Sequence, residues 1–352
     1  MQPRTQTKAR RATLHVSALV PRPHEQNSPV AAADLRLAGS WGRGAGGGEG
    51  RAGAGPAPNI TMGTSAAWEP VGPVLGWRAG GPGPREPHGN FLQGARWSPD
   101  GACLLAAAAD RRLRRFDLPA GAAGPSGRGP PFAAGLEVQE GEQVYDYAWF
   151  PGAAAAEPAT MCFAATCRGH PIHLWDALTG ARRASYRAYD ARDEVMAAVA
   201  VAMDPDGHRL VGGFAKAIAA WDVQRPGRDC ALWPTHSKAS PGQAGLIASL
   251  HFNPDRSQLL AAGCYDGSAG VYDAGTGERA LELVLHAKGH RAGAGVTQVQ
   301  WSPDGNFLYA GARRDGSILC WDVRHTRDEV YRLQRATVRR RGAAERVRRL
   351  PV

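Results

Sequence analysis

The chain has no run of about 18 apolar residues, so no membrane-spanning helix is expected. Its opening, "MQPRTQTKARRATLHV", lacks the apolar segment of a secretory signal. It bears Arg and is acid-free up to Glu25, as a mitochondrial presequence would be; a solvated basic tail is the simpler reading. None of the six cysteines forms a Cys-x-x-Cys pair. Cys103, Cys162, Cys264 and Cys320 sit in apolar strand-like runs, as small buried thiols of a reducing compartment do. His170 and His173 have no second ligand pair near them in sequence, so no metal and no cofactor is expected. Gly-x-Ser-x-Gly, P-loop and His-Glu-x-x-His motifs are absent, and no paired carboxylates stand outside turn positions. Asp193 and Glu194 read as a solvated acidic pair. An enzyme is the weakest reading.

The net charge of +10 is uneven. Residues 1–60 hold 8 Lys+Arg against 3 Asp+Glu, and residues 327–352 hold 9 Arg against 3 acids. The middle, 61–326, holds 25 against 26, so any nucleic-acid surface there must come from local placement of charge. The segment 1–64, with "GRGAGGGEGRAGAGPAP" at 42–58, cannot build a core and is expected to be a disordered tail. Residues 327–352 are expected to be a second basic tail without strands, and "RRRGAAERVRR" at 339–349 has a nuclear-localisation look.

What is present is periodic. Gly 45 and Pro 26 favour turns over long helices. Between the tails, within 65–326, five units each carry an alternating strand, a turn, an apolar strand, a short polar loop and a third strand. Each ends in an aromatic and an acid: Phe116-Asp117, Trp175-Asp176, Trp221-Asp222, Tyr272-Asp273 and Trp321-Asp322. The closing Asp recurs at steps of 59, 46, 51 and 49 residues. "WSPDG" at 97–101 and 301–305, "DPDG" at 204–207 and "NPDR" at 253–256 suit type I turns between the first two strands. "FPGAAAAEPAT" is a longer loop in the second unit. A period near 40–50 residues ending in Trp-Asp resembles the WD40 repeat, which implies an all-β propeller with five legible blades. The final blade offers His290, Asp315 and Trp321 for the hydrogen-bonded set such blades carry, with Ala312 where Ser or Thr is common. These residues are scaffold.

Family-specific text goes further. "NFLQGARWSPDGACLL" (90–105), "EGEQVYDYAWF" (140–150), "PIHLWDALTGARRASYRAYDARDE" (171–194), "RPGRDC" (225–230) and "GARRDGSILCWDVR" (311–324) are similar to the telomerase Cajal body protein family. The resemblance covers roughly residues 88–326. It implies a seven-bladed propeller, of which this chain is expected to lack the last two blades. It implies binding to the CAB box of small Cajal-body RNAs and telomerase RNA, delivery of those particles to Cajal bodies and telomeres, and a nuclear, Cajal-body location. Implied partners are telomerase and H/ACA ribonucleoprotein components, with the chaperonin TRiC for folding of a slow, non-local β-topology. No membrane partner is expected. The alternative is a protein-only WD40 scaffold without RNA binding, since fold does not choose function.

The loops between second and third strands should share one side of the disc. They hold Arg111, Arg112, Arg168, His170, Phe214, Lys216, Tyr265, Arg313 and Arg314, with Arg187 and Tyr189 in a connection on the same side. Cations interleaved with aromatics suit single-stranded RNA. The opposite turns are acidic or neutral.

Overall fold

The computed structural model describes residues 90–118, 133–255, 257–284, 295–313 and 315–334, and two further strands, Thr13–Val16 and Leu75–Arg78. Those two strands pair antiparallel. Four residues of the expected disordered segment are thus paired, and the rest of it lies outside the described residues.

Five four-stranded antiparallel sheets follow in chain order. Blade 1 runs Leu92–Trp97, Cys103–Ala108, Arg112–Asp117 and Leu136–Gln139. Blade 2 runs Val144–Trp149, Cys162–Cys167, Ile172–Asp176 and Arg182–Tyr186. Blade 3 runs Ala200–Met203, Arg209–Phe214, Ala217–Asp222 and Ala231–Pro234. Blade 4 runs Ile247–Phe252, Leu259–Cys264, Ser268–Asp273 and Arg279–Val284. Blade 5 runs Val296–Trp301, Phe307–Ala312, Ser317–Asp322 and Tyr331–Gln334. Among the described residues the helical content is one 3-10 turn, Pro158–Thr160, in the long loop of blade 2.

The last strand corrects the expected tail. Tyr331–Gln334 pairs with Ser317–Cys320, so blade 5 runs past residue 326. The open edge of Ser317–Asp322 takes up this strand, and the Tyr331 and Tyr309 hydroxyls lie 2.7 Å apart across that edge strand. Residues 335–352 lie outside the described residues.

The two repeated sequence devices have local explanations. In "SPDG" the Gly101 N–H reaches back to the Ser98 carbonyl, and Gly305 does the same to Ser302. Both glycines have positive φ, 71° and 72°. The Ser98 hydroxyl donates to Asp100 and accepts from the Cys103 N–H, so the turn ties itself to the next strand. The closing Asp caps the turn after the third strand. Asp176 accepts from the N–H groups of Leu178 and Thr179, Asp222 from Gln224, and Asp273 from Gly275 and Thr276. At Asp176 burial opposes the charge, but those N–H groups and Arg183 outweigh it and hold the pKa at about 2.

Apolar second and third strands bury both faces between neighbouring blades. Cys103, Leu105 and Leu113 of blade 1 pack on Tyr147, Trp149 and Phe163 of blade 2. Ile172 and Tyr186 pack on Leu210 and Trp221, Val211 and Ile218 on Leu260 and Tyr272, and Val271 on Trp301 and Leu308. The innermost strands are pinned to each other as well. Asp146 accepts from the Val201 N–H, and Ser249 from the Val299 N–H. The indole of Trp149 donates to the Arg96 carbonyl, and that of Trp301 to the His251 carbonyl. The five buried thiols are Cys103, Cys162, Cys167, Cys264 and Cys320. Burial pushes Cys167 up to about 12 and Cys264 to about 11, which makes them inert as nucleophiles.

Candidate nucleic-acid interface

Strand direction puts the turn between second and third strands on the side where the chain enters the next blade. Backbone hydrogen bonds tie these two kinds of loop together: Ala109 N–H to Phe91, Arg168 to Gln143, Lys216 to Gly245, Tyr265 to Leu246, and Arg313 to Gly295. The entering connection thus lies between the turns of adjacent blades. Gly141 shows the packing. Its carbonyl accepts from the Arg111 guanidinium, and a Cβ there would lie 2.8 Å from His170 Nε2. Gly295 sits likewise between Arg313 and Tyr265, where a Cβ would approach the Tyr265 Cα to 2.8 Å. Residues far apart in sequence are therefore neighbours on this side.

Arg168, Lys216 and Arg313 are exposed and Arg111 is half-buried. None of the four has an acidic partner among the described residues. Two are held in unusual backbone. Arg111 has φ 64° and Lys216 φ 58°, while the turns of blades 2 and 4 place Gly169 and Gly267 at positive φ. A left-handed non-glycine residue at a hairpin tip costs of order 1 kcal/mol; of the four such residues among the described ones, Arg111, Asp193, Lys216 and Gln258, the two on this face are cations.

Other expected residues are placed differently. Phe214 is 2% exposed, packed between blades 2 and 3 with its ring 6.4 Å from Trp221, so it does not belong to the surface. The cause is its place as the last residue of an apolar second strand, not in the turn. Arg112 is bound to Glu137 at 3.0 Å. Arg187 is exposed, but Tyr189 lies under the Arg228 guanidinium, 4.3 Å from the ring centroid, and Arg228 pairs with Asp193. Tyr189 and Arg228 form an outer-rim cluster. His290 and Arg314 lie outside the described residues. Asp315 binds the backbone N–H and hydroxyl of Ser317, and Trp321 is buried.

The structure adds two aromatics, Phe91 and Tyr145, both exposed. Phe91 is in the connection entering blade 1, and Tyr145 is the second residue of blade 2. Reading only the turns between second and third strands misses both.

Beneath the face lies a buried polar group. Glu140, in the connection into blade 2, accepts from the Trp175 indole at 2.6 Å and meets His173 Nδ1 at 2.9 Å. Burial alone would raise its pKa, but these partners outweigh it and hold the carboxyl below its usual range. Gln243 does the same for blade 4, with the Tyr272 hydroxyl donating to it at 2.8 Å. The Trp221 indole N–H of blade 3 is buried without a partner among the described residues. Such a group ties the third strand to the loop above it, a scaffold role. No cluster of three His, Cys, Asp or Glu among the described residues is arranged to hold a metal.

Comparison with known proteins agrees with this architecture. The family model for the WD domain, G-beta repeat, matches residues 234–273 and 281–322. Telomerase Cajal body protein 1 of Bos taurus is 39% identical over 248 residues, 70% of this chain and 44% of that protein. The Homo sapiens protein of that description is 38% identical over the same shares. The guanine nucleotide-binding protein negative regulator 1 of Schizosaccharomyces pombe is 30% identical over 70% of this chain and 62% of its own length. The chain thus spans less than half the length of the mammalian relatives it matches. Five blades, their aromatic-Asp closures and the matched repeats make the chain a WD40-repeat scaffold that is similar, over 70% of its length, to telomerase Cajal body protein 1.

Proposed function

We propose that this chain is an RNA-binding WD40 scaffold whose ligand is the CAB box of small Cajal-body RNAs and telomerase RNA. One observation carries the reading: four blades each present on one side a cation, Arg111, Arg168, Lys216 or Arg313, with no acidic partner among the described residues. Such cations displace counterions from a phosphate backbone, and the exposed Tyr265 offers an aromatic face for a splayed base. The relatives' printed name, telomerase Cajal body protein, supports the choice of RNA particle and a nuclear, Cajal-body location. On this reading the scaffold directs those particles to Cajal bodies and telomeres, alongside telomerase and H/ACA ribonucleoprotein components, with TRiC assisting folding.

A protein-only scaffold remains the second reading, favoured by the name of the fission-yeast relative, a negative regulator of a guanine nucleotide-binding protein. The test changes Arg168, Lys216 and Arg313 together to Glu and measures binding of a CAB-box hairpin against salt. Three lost phosphate contacts should lower the slope of log affinity on log salt by about 2–3. Arg225→Glu with Arg324→Glu, the same kind of charge change on the far side, should leave it nearly unaltered. Equal slopes in both variants, with folding intact, would favour the protein-only scaffold.

A further inference from the structure

We infer that Tyr145 is a stacking platform for one unpaired nucleobase, an inference that rests on the RNA reading above and specifies the form of RNA bound. Tyr145 sits in a β-bulge. Val144 pairs with Cys167 and Asp146 with Thr166, so the register shifts and Tyr145 has no residue opposite it. A bulge re-aims the extra side chain out of the alternation of the strand. The result here is a tyrosine 44% exposed beside neighbours that are fixed.

The backbone on either side is locked. Val144 is buried on its amino-terminal side. On the other side, the Asp146 N–H donates to the Thr166 hydroxyl and its carboxylate accepts from Tyr147, Val201 and Arg96. Four groups from three blades thus hold the residue next to Tyr145. A ring on so rigid a mount loses little freedom when a base stacks on it. Blades 1, 4 and 5 have the same bulge, but there the extra residues are Gln93, Ala248 and Thr297. Only the copy in blade 2 bears an aromatic, and it is next to the cationic turn. The Arg168 N–H bonds the Gln143 carbonyl two residues before Tyr145, and Gly141 beyond it touches both Arg111 and His170. Cations flanking a fixed, open aromatic are what a single strand needs, phosphates on the one and a base on the other. A duplex keeps its bases stacked on each other and has nothing to give the ring.

The test uses the full 352-residue chain with two RNAs, a hairpin carrying 2-aminopurine in its loop and a blunt duplex of equal length. Stacking on Tyr145 should quench the loop fluorophore. Tyr145→Ala should relieve the quench and weaken hairpin binding by about tenfold, with the salt slope unchanged. Tyr145→Phe should restore both, because the face and not the hydroxyl makes the contact. Duplex binding should be the same in all three proteins. Wild-type affinity and quench retained in Tyr145→Ala would overturn the platform while leaving the RNA reading standing. Absence of hairpin binding by the wild type would overturn both.

Discussion

Trp97 and Trp301 open the same five-residue motif, and their turns close in the same way. Their surroundings differ. Trp301 is 2% exposed, packs on Val271 of the preceding blade and donates its indole N–H to the His251 carbonyl there. Trp97 is 42% exposed, and its indole has no partner among the described residues. The motif therefore determines a turn, while the neighbouring blade decides whether the tryptophan before it becomes core. Blade 5 shows the complementary situation on its other face. Its second strand alternates between buried and half-buried, with Phe307 and Tyr309 half-exposed, whereas the second strand of blade 4 is almost wholly buried.

The largest expected effect breaks this comparison directly. Trp301→Ala removes an inter-blade hydrogen bond and leaves a cavity, and should cost about 3–5 kcal/mol in urea unfolding. Trp97→Ala should cost under about 1 kcal/mol, since that side chain is already largely in water. Similar losses for both would mean that Trp97 is covered in solution.

The next pair of substitutions separates blades 2 and 3. Trp175→Phe leaves the buried Glu140 carboxylate without its indole donor, and should cost about 1–3 kcal/mol. Trp221→Phe removes an indole N–H that has no partner among the described residues, so its loss of volume is offset and the change should stay within about 1 kcal/mol. A larger loss from Trp221→Phe than from Trp175→Phe would show that the Trp221 N–H is satisfied in solution.

Titration sharpens the blade 4–5 contact at a smaller scale. His251 Nδ1 accepts from the Trp301 backbone N–H, and burial, with the charge of Arg96 adding to it, holds the imidazole below its usual pKa. A folded value below the unfolded one means that the unfolded chain takes up the proton first. The contribution is therefore present above about pH 6.5 and is lost as pH falls below it. Glu140 acts in a lower window. Its stability is present above about pH 4.3 and is lost as pH falls through its depressed folded value. The urea midpoint should decline between pH 7 and 5.5, and the decline should shrink in His251→Gln. An undiminished decline in that variant would assign the titration elsewhere.

These contrasts show what the sequence made legible. Turns and closures were readable because they are local: Ser98 and Asp100 bond within four residues, and Asp176 caps the three residues after it. Pairing between distant segments was not. Tyr331–Gln334 joins blade 5 although its text is short, because its strand needs only an edge to pair with. Tyr145 could not be found by alternation, since a bulge is a break in alternation. Phe214 ends its strand and does not open the turn, which moves it from the surface to the core.

The smallest effect concerns the two cations at positive φ. Lys216 stands at φ 58° in the two-residue turn of blade 3, and Gly267 at φ 93° in the three-residue turn of blade 4. Lys216→Gly relieves the left-handed strain, but glycine also gains freedom in the unfolded chain. The two effects oppose each other, so stability should rise or stay level, changing by less than about 1 kcal/mol. Binding should respond separately: loss of one phosphate contact should lower the salt slope for the CAB-box hairpin by about one. Gly267→Lys reverses the exchange, adding a cation on the same side at a cost of about 1 kcal/mol in stability. It should raise the slope if the added charge reaches the RNA. Lys216→Gly that unfolds more readily and binds as before would show that the lysine serves the turn and not the ligand.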